Sequence, residues 1–183
     1  MKARCFIAIS LPEEIKKEIG FLIEKLQEKN PDKNIKWVKP ENLHSTLHFL
    51  GSLEREKIEK VKKIIEKSIV GLRSTKIELK EMDGFPNIQN PRVLFIRGQE
   101  AGEVLHELQI KIGKEIEKIG IEIDACSWQI HFTLARLKEL SHLQITNLNE
   151  LRIKSFEIKS IDLMKSELTP RGAKYTIIKK FSL

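Results

Sequence analysis

The chain has 183 residues, 40% of them hydrophobic, enough for one large domain or two small lobes sharing a core, and it shows no sign of disorder. A formal net charge of +7, from 33 Lys plus Arg against 26 Asp plus Glu, suits a polyanionic partner and suits a lysine-rich solvated surface nearly as well. Two cysteines, Cys5 and Cys126, argue against a disulfide framework and for a reducing cytoplasm, and no apolar run reads as a signal peptide or membrane span.

The opening Phe6-Ile7-Ala8-Ile9 reads as a strand. From Leu11-Pro12-Glu13-Glu14 the pattern becomes helical, with proline and acidic residues in the first turn and Ile15, Ile19, Leu22, Ile23 and Leu26 on one stripe. Asn30-Pro31-Asp32 ends it. Ile35 to Val38 predicts a short strand before the turn Lys39-Pro40-Glu41-Asn42, and His44-Ser45-Thr46-Leu47-His48-Phe49 alternates as a half-buried strand. Period two puts His44, Thr46 and His48 on one face and gives Phe49 the parity of a core residue. A second helix is expected from about Leu53 through Ile58, Val61, Ile64 and Ile65.

Thr75 to Glu81 alternates as a strand, and turn residues from Asp83 to Pro91 lead into a strand over Val93 to Ile96. A third helix is predicted from about Ala101 to Ile119, stopped by Gly120. His131-Phe132-Thr133-Leu134-Ala135-Arg136 follows, with His131 and Thr133 on one face and Phe132, Leu134 and Arg136 on the other. Leu140 to Leu148 reads as a short helix or loop and Leu151 to Leu168 as one long strand. The turn Thr169-Pro170-Arg171-Gly172, where Arg171 could reach a phosphate, then returns the chain along Lys174 to Phe181. This order predicts an α+β protein of two similar lobes, each an antiparallel sheet flanked by helices, around a central cleft, in a single bilobal domain over 1–183.

The chemistry lies in the repeat. The two His-x-Thr motifs stand 131 − 44 = 87 positions apart. Facing imidazoles, one neutral and one protonated, remove one proton and deliver another near neutral pH, while threonine hydroxyls donate to nonbridging phosphoryl oxygens. That describes a phosphoesterase without a metal or other cofactor. His48, about 13 Å along a straight strand from His44, is expected to touch substrate rather than to react, and the two cannot share a zinc ion. His106 and His142 read as ordinary surface or boundary residues. Phe49, Phe85, Trp37 and Trp128 could stack a base at a cleft edge, though burial is the commoner fate of such residues.

The motifs, with Cys5-Phe6-Ile7-Ala8-Ile9, the run from Trp37 to Leu43, Gly51, Gly84-Phe85-Pro86, Pro91-Arg92-Val93-Leu94, Gly172 and Tyr175, resemble the two-histidine (2H) phosphoesterases, and among them the RNA 2′,3′-cyclic phosphodiesterases also described as 2′-5′ RNA ligase-like. The resemblance covers nearly the whole chain. It departs at Ile130, where relatives commonly carry proline before the second histidine. It implies His44 as proton donor, His131 as proton acceptor, Thr46 and Thr133 on the nonbridging oxygens, and Arg136 on the phosphate or terminal nucleotide; motif spacing alone does not say which histidine is which. The implied partner is an RNA end carrying a 2′,3′-cyclic phosphate, tRNA fragments being one source, with no obligate protein partner and no membrane. ATP-independent 2′-5′ ligation is the implied side reaction. The alternatives are a phosphodiesterase acting on 2′-5′ oligonucleotides or small cyclic nucleotides, and a non-catalytic RNA-binding protein of the same fold.

Overall fold

Stretches with one apolar stripe fold as helices and the alternating stretches as strands in a computed structural model that describes residues 2–124, 128–139, 143–145, 155–169 and 172–183. In chain order these elements are β1 (Lys2–Ser10), α1 (Glu13–Lys29), β2 (Ile35–Trp37), β3 (His44–Glu54), α2 (Arg55–Ser68), β4 (Thr75–Phe85), β5 (Val93–Glu100), α3 (Val104–Lys118), β6 (His131–Leu137), β7 (Ser155–Ile158), β8 (Ser160–Thr169) and β9 (Gly172–Ser182). The stripe expected on α1 is buried, Ile15, Ile19, Leu22, Ile23 and Leu26; on α2 Val61 and Ile65 are buried and Ile58 and Ile64 half-buried; and α3 buries Leu105, Leu108, Ile112 and Ile116. The start of α2 is later than its spacing suggested, because Leu53 and Glu54 still pair with Ala3 and Lys2 in the sheet.

The fold is α+β, with two antiparallel sheets of order β3-β1-β8-β9 and β2-β6-β5-β4-β7. Leaving β2 aside, the orders correspond: the motif strand (β3 or β6), then the strand preceding its helix (β1 or β5), then β8 or β4. The sheets interleave along the chain. β2, from the first half, forms an edge of the second sheet, and the C-terminal hairpin β8–β9 completes the first.

The long strand expected over Leu151 to Leu168 is therefore corrected. The chain leaves the second sheet after Ile158 and enters the first at Ser160, with Lys159 as the step between them. Of the stretch 140–148, only 143–145 falls among the described residues; there Leu143 is buried and Gln144 exchanges two hydrogen bonds with Asn30, just past the end of α1. Cys126, His142 and Arg171 lie outside the described residues. No helix among the described residues is long and apolar enough to cross a membrane.

Candidate active site

His44 and Thr46 share one face of the first sheet with Phe6, Ala8 and Ser10 of β1, their neighbours across the ladder. His131 and Thr133 take the same places on β6, opposite Arg97 and Phe95 of β5. One hydrogen bond ties the motifs directly and a second joins the first motif to the approach to the second. The backbone N–H of His131 donates to the Ser45 hydroxyl at 3.3 Å, and the Trp128 indole donates to the Thr46 carbonyl at 2.7 Å. Ser45 is fully buried, so its hydroxyl serves as an internal link rather than as a surface group.

The two imidazoles are held alike. His44 Nδ1 lies 2.7 Å from the Asn42 carbonyl and His131 Nδ1 lies 2.9 Å from the Gln129 carbonyl, each two residues back along the chain. A carbonyl only accepts, so Nδ1 carries the proton in both rings and both Nε2 atoms are left for chemistry. Phenylalanine backs each ring: Phe6 at 5.0 Å from His44 and Phe95 at 5.5 Å from His131, centroid to centroid. Tyr175 of β9 meets His44 edge-on at 5.1 Å, and the Asn42 side-chain amide donates to the Ala173 carbonyl at 3.2 Å, pinning the last hairpin over the first histidine. Burial holds the His44 imidazole below its ordinary range, against the bond to Asn42, and the positive charges of His131, Arg136 and Lys16 push it the same way.

Ile130, the departure from the proline of the resembling family, is buried, and its carbonyl accepts from Gly98 N–H at 2.8 Å. Gly98 makes the room: a Cβ there would lie 2.5 Å from Ile130 Cγ2. His131 thus has the same Nδ1 arrangement as His44 despite the substitution.

Three placements differ from period-two expectation, and one cause explains all of them. On β3 the register passes from Thr46 opposite Ala8 to His48 opposite Ile7, leaving Leu47 as an extra residue; on β6 it passes from Thr133 opposite Phe95 to Ala135 opposite Leu94, leaving Leu134 extra. Each motif therefore carries a β-bulge directly after its threonine, and the side chains that follow it change face; on β3 a second bulge at Leu50, between Phe49 opposite Phe6 and Gly51 opposite Cys5, reverses the change again. His48 is turned away from His44 into the core, where it is buried and its Nε2 bonds the Gln109 carbonyl of α3 at 2.8 Å; its expected contact with substrate is corrected accordingly. Phe49 comes round to the His44 face and is 51% exposed, contrary to its expected burial. Arg136 comes round to the His131 face, where its charge reaches His44.

Among the other aromatic candidates, Phe85 is exposed and stacks on Phe95 at 5.2 Å, whereas Trp37 and Trp128 are half-buried. His106 is exposed, as expected, and stacks at 6.4 Å on Trp128. Sequence reasoning missed Ser45, Asn42 and Trp128 as positioning groups; their positions beside the motifs were the only signal. It also missed Asp162, which is fully buried on β8 beside Ala8, where Oδ2 accepts from the Ser10 hydroxyl at 2.6 Å and Oδ1 has no partner. Among the described residues no three His, Cys, Asp or Glu side chains come together in a way that could hold a metal ion.

Two sheets that each present a histidine with Nε2 free and a threonine beside it define a phosphoesterase scaffold. Residues 9–95 match the family model described as LigT like Phosphoesterase. Over 97% of its length the chain is 33% identical to a protein of Methanocaldococcus jannaschii named RNA 2′,3′-cyclic phosphodiesterase, covering 99% of that protein. A protein of the same name from Methanothermobacter thermautotrophicus is 30% identical over the full length of both chains. A crystal structure of a Thermus thermophilus protein superposes with a TM-score of 0.81 at 29% identity, covering 98% of this chain and 97% of that one. The chain belongs to the LigT-like phosphoesterase family of the 2H superfamily and is an enzyme of that family.

Proposed function

We propose that the chain is an RNA 2′,3′-cyclic phosphodiesterase that hydrolyses a terminal cyclic phosphate to a 2′-phosphate, as one bilobal domain in the cytoplasm, with neither metal nor nucleotide cofactor. The observation that carries the reading is the matched pair of Nδ1 bonds, His44 to Asn42 and His131 to Gln129, which leaves two Nε2 atoms for proton transfer. The names of the two archaeal relatives support the substrate.

In this mechanism His131 Nε2 takes a proton from water as its oxygen attacks phosphorus. His44, which takes up a second proton at Nε2 when the phosphate's negative charge offsets its burial and its positive neighbours, gives that proton to the departing 3′ oxygen, so the P–O3′ bond breaks as the new P–O bond forms, the 2′ ester survives and His44 is left neutral with its proton on Nδ1. Thr46 and Thr133 hydroxyls donate to the nonbridging oxygens as charge builds there. Arg136 adds a positive charge on the same side. An RNA 5′-hydroxyl in place of water gives a 2′-5′ linkage by the same proton balance, without ATP.

The test is end-group analysis of an oligoribonucleotide ending in a 2′,3′-cyclic phosphate after incubation with the protein in EDTA. Wild type is expected to yield a 2′-phosphate, and His44→Ala and His131→Ala each to lose roughly 10²- to 10⁴-fold in rate. Turnover that appears only on adding a divalent metal would overturn the two-histidine mechanism.

A further inference from the structure

The short edge strand β2 pairs with β6 so that Lys36 stands directly opposite Arg136, between the pairs Ile35–Leu137 and Trp37–Ala135. Arg136 in turn faces Val93, and the bulge at Leu134 has put this row on the face that carries Thr133 and His131. Lys36 and Arg136 are both exposed, and neither has a carboxylate partner among the described residues. Like charges directly opposed in an antiparallel pair destabilise it. A lysine that merely protects a sheet edge does so from any position along it. Setting it against an arginine adds a repulsion that a shared anion removes.

The position of that anion follows from the sheet. Arg136 is close enough to the reacting centre for its charge to be felt at His44, and Lys36 lies one strand further out, about 4.8 Å in the pairing direction. An anion between them sits beside, not at, the phosphorus held by Thr46 and Thr133.

We propose that Lys36, with Arg136, binds the phosphodiester immediately 5′ of the terminal nucleoside, so that the enzyme selects oligoribonucleotides over 2′,3′-cyclic mononucleotides. The inference rests on the phosphodiesterase reading above. It makes Lys36 a binding residue with no part in proton transfer, so its removal acts on substrate capture and leaves the chemical step alone.

The experiment compares wild type, Lys36→Gln and Lys36→Arg on two substrates with the same terminal nucleoside: a 2′,3′-cyclic mononucleotide and a trinucleotide ending in the cyclic phosphate, each over a range of salt. For Lys36→Gln the KM for the trinucleotide is expected to rise roughly tenfold, as for loss of one charge-assisted hydrogen bond. Its kcat on the trinucleotide stays unchanged, as do both constants on the mononucleotide. The slope of log(kcat/KM) against log[salt] for the trinucleotide becomes shallower by about 0.7, one phosphate contact fewer on a single strand. Lys36→Arg restores the wild-type KM. Equal effects on both substrates, or none on either, would overturn the assignment of Lys36 while leaving the phosphodiesterase intact. Wild type inactive on both substrates would overturn the phosphodiesterase reading and this inference with it.

Discussion

Each histidine commits its Nδ1 proton to a carbonyl two residues behind it, so everything the ring can do for a substrate is done at Nε2. For His44 the setting is apolar and positively charged at once, and both features favour the neutral ring. The free protein should therefore show a His44 midpoint below about 6.5 in an NMR titration. Saturation with inorganic phosphate should move that midpoint up, because an anion between the threonines offsets the charges of Arg136, Lys16 and His131. A midpoint that phosphate leaves in place would show that the anion does not bind beside His44. The candidate residues were legible at this scale because a repeated His-x-Thr is rare and chemically explicit. Ser45 was not legible: nothing in its type distinguishes a buried hydroxyl that accepts from the other motif's backbone from a small residue on a strand.

At the scale of elements, strands and helices were readable from periodicity, but the two bulges were not. Leucine at 47 and at 134 continues an alternating pattern, and only the partner strands reveal that each has no cross-strand partner. One uncounted residue per motif reversed His48, Phe49 and Arg136 together, which is the face flip expected when a ladder gains a residue. The entry to the second motif is controlled in a similar way by a neighbour. Gly98→Ala would drive a methyl group against Ile130, Ile77 and Phe132, an overpacking that costs about 1–3 kcal/mol. It is expected to lower the melting temperature and to reduce turnover by displacing the residue before His131. Ile130→Ala in the same chain, which removes the Cγ2 methyl that a Cβ at position 98 would strike, should recover part of the lost turnover, and a double variant no better than the single would locate the strain elsewhere.

At the scale of the whole molecule, both His44 and His48 are held below their ordinary range chiefly by burial. Each is more readily protonated in the unfolded chain. Their contribution to stability is thus complete above about pH 6.5 and declines as pH falls from there toward their folded values. Urea unfolding at pH 7.5 and 5.5, above the range in which carboxylates titrate, should show lower stability at 5.5, with a smaller difference in His48→Gln. An unchanged difference would mean that His48 does not carry the effect. The α+β class and the correspondence of two lobes were legible from the order of elements, whereas the exchange of strands was not. Alternation from Leu151 to Leu168 says that the segment is extended but not to which sheet it belongs, and the change at Lys159 is made by pairing with β4 on one side and β1 on the other.

That change of sheet has a consequence for how the protein is made. A ribosome releases β1 and β3 early, but the second edge of β1 is covered only by β8, and His44 is met by Tyr175 only when β9 has followed. Until then the strand carrying Phe6 and Ala8 has an open apolar edge, the state in which nascent chains associate with one another. A product cut short anywhere between Arg136 and Ser160 would contain both motifs and Arg136, yet leave its first histidine on an unfinished sheet.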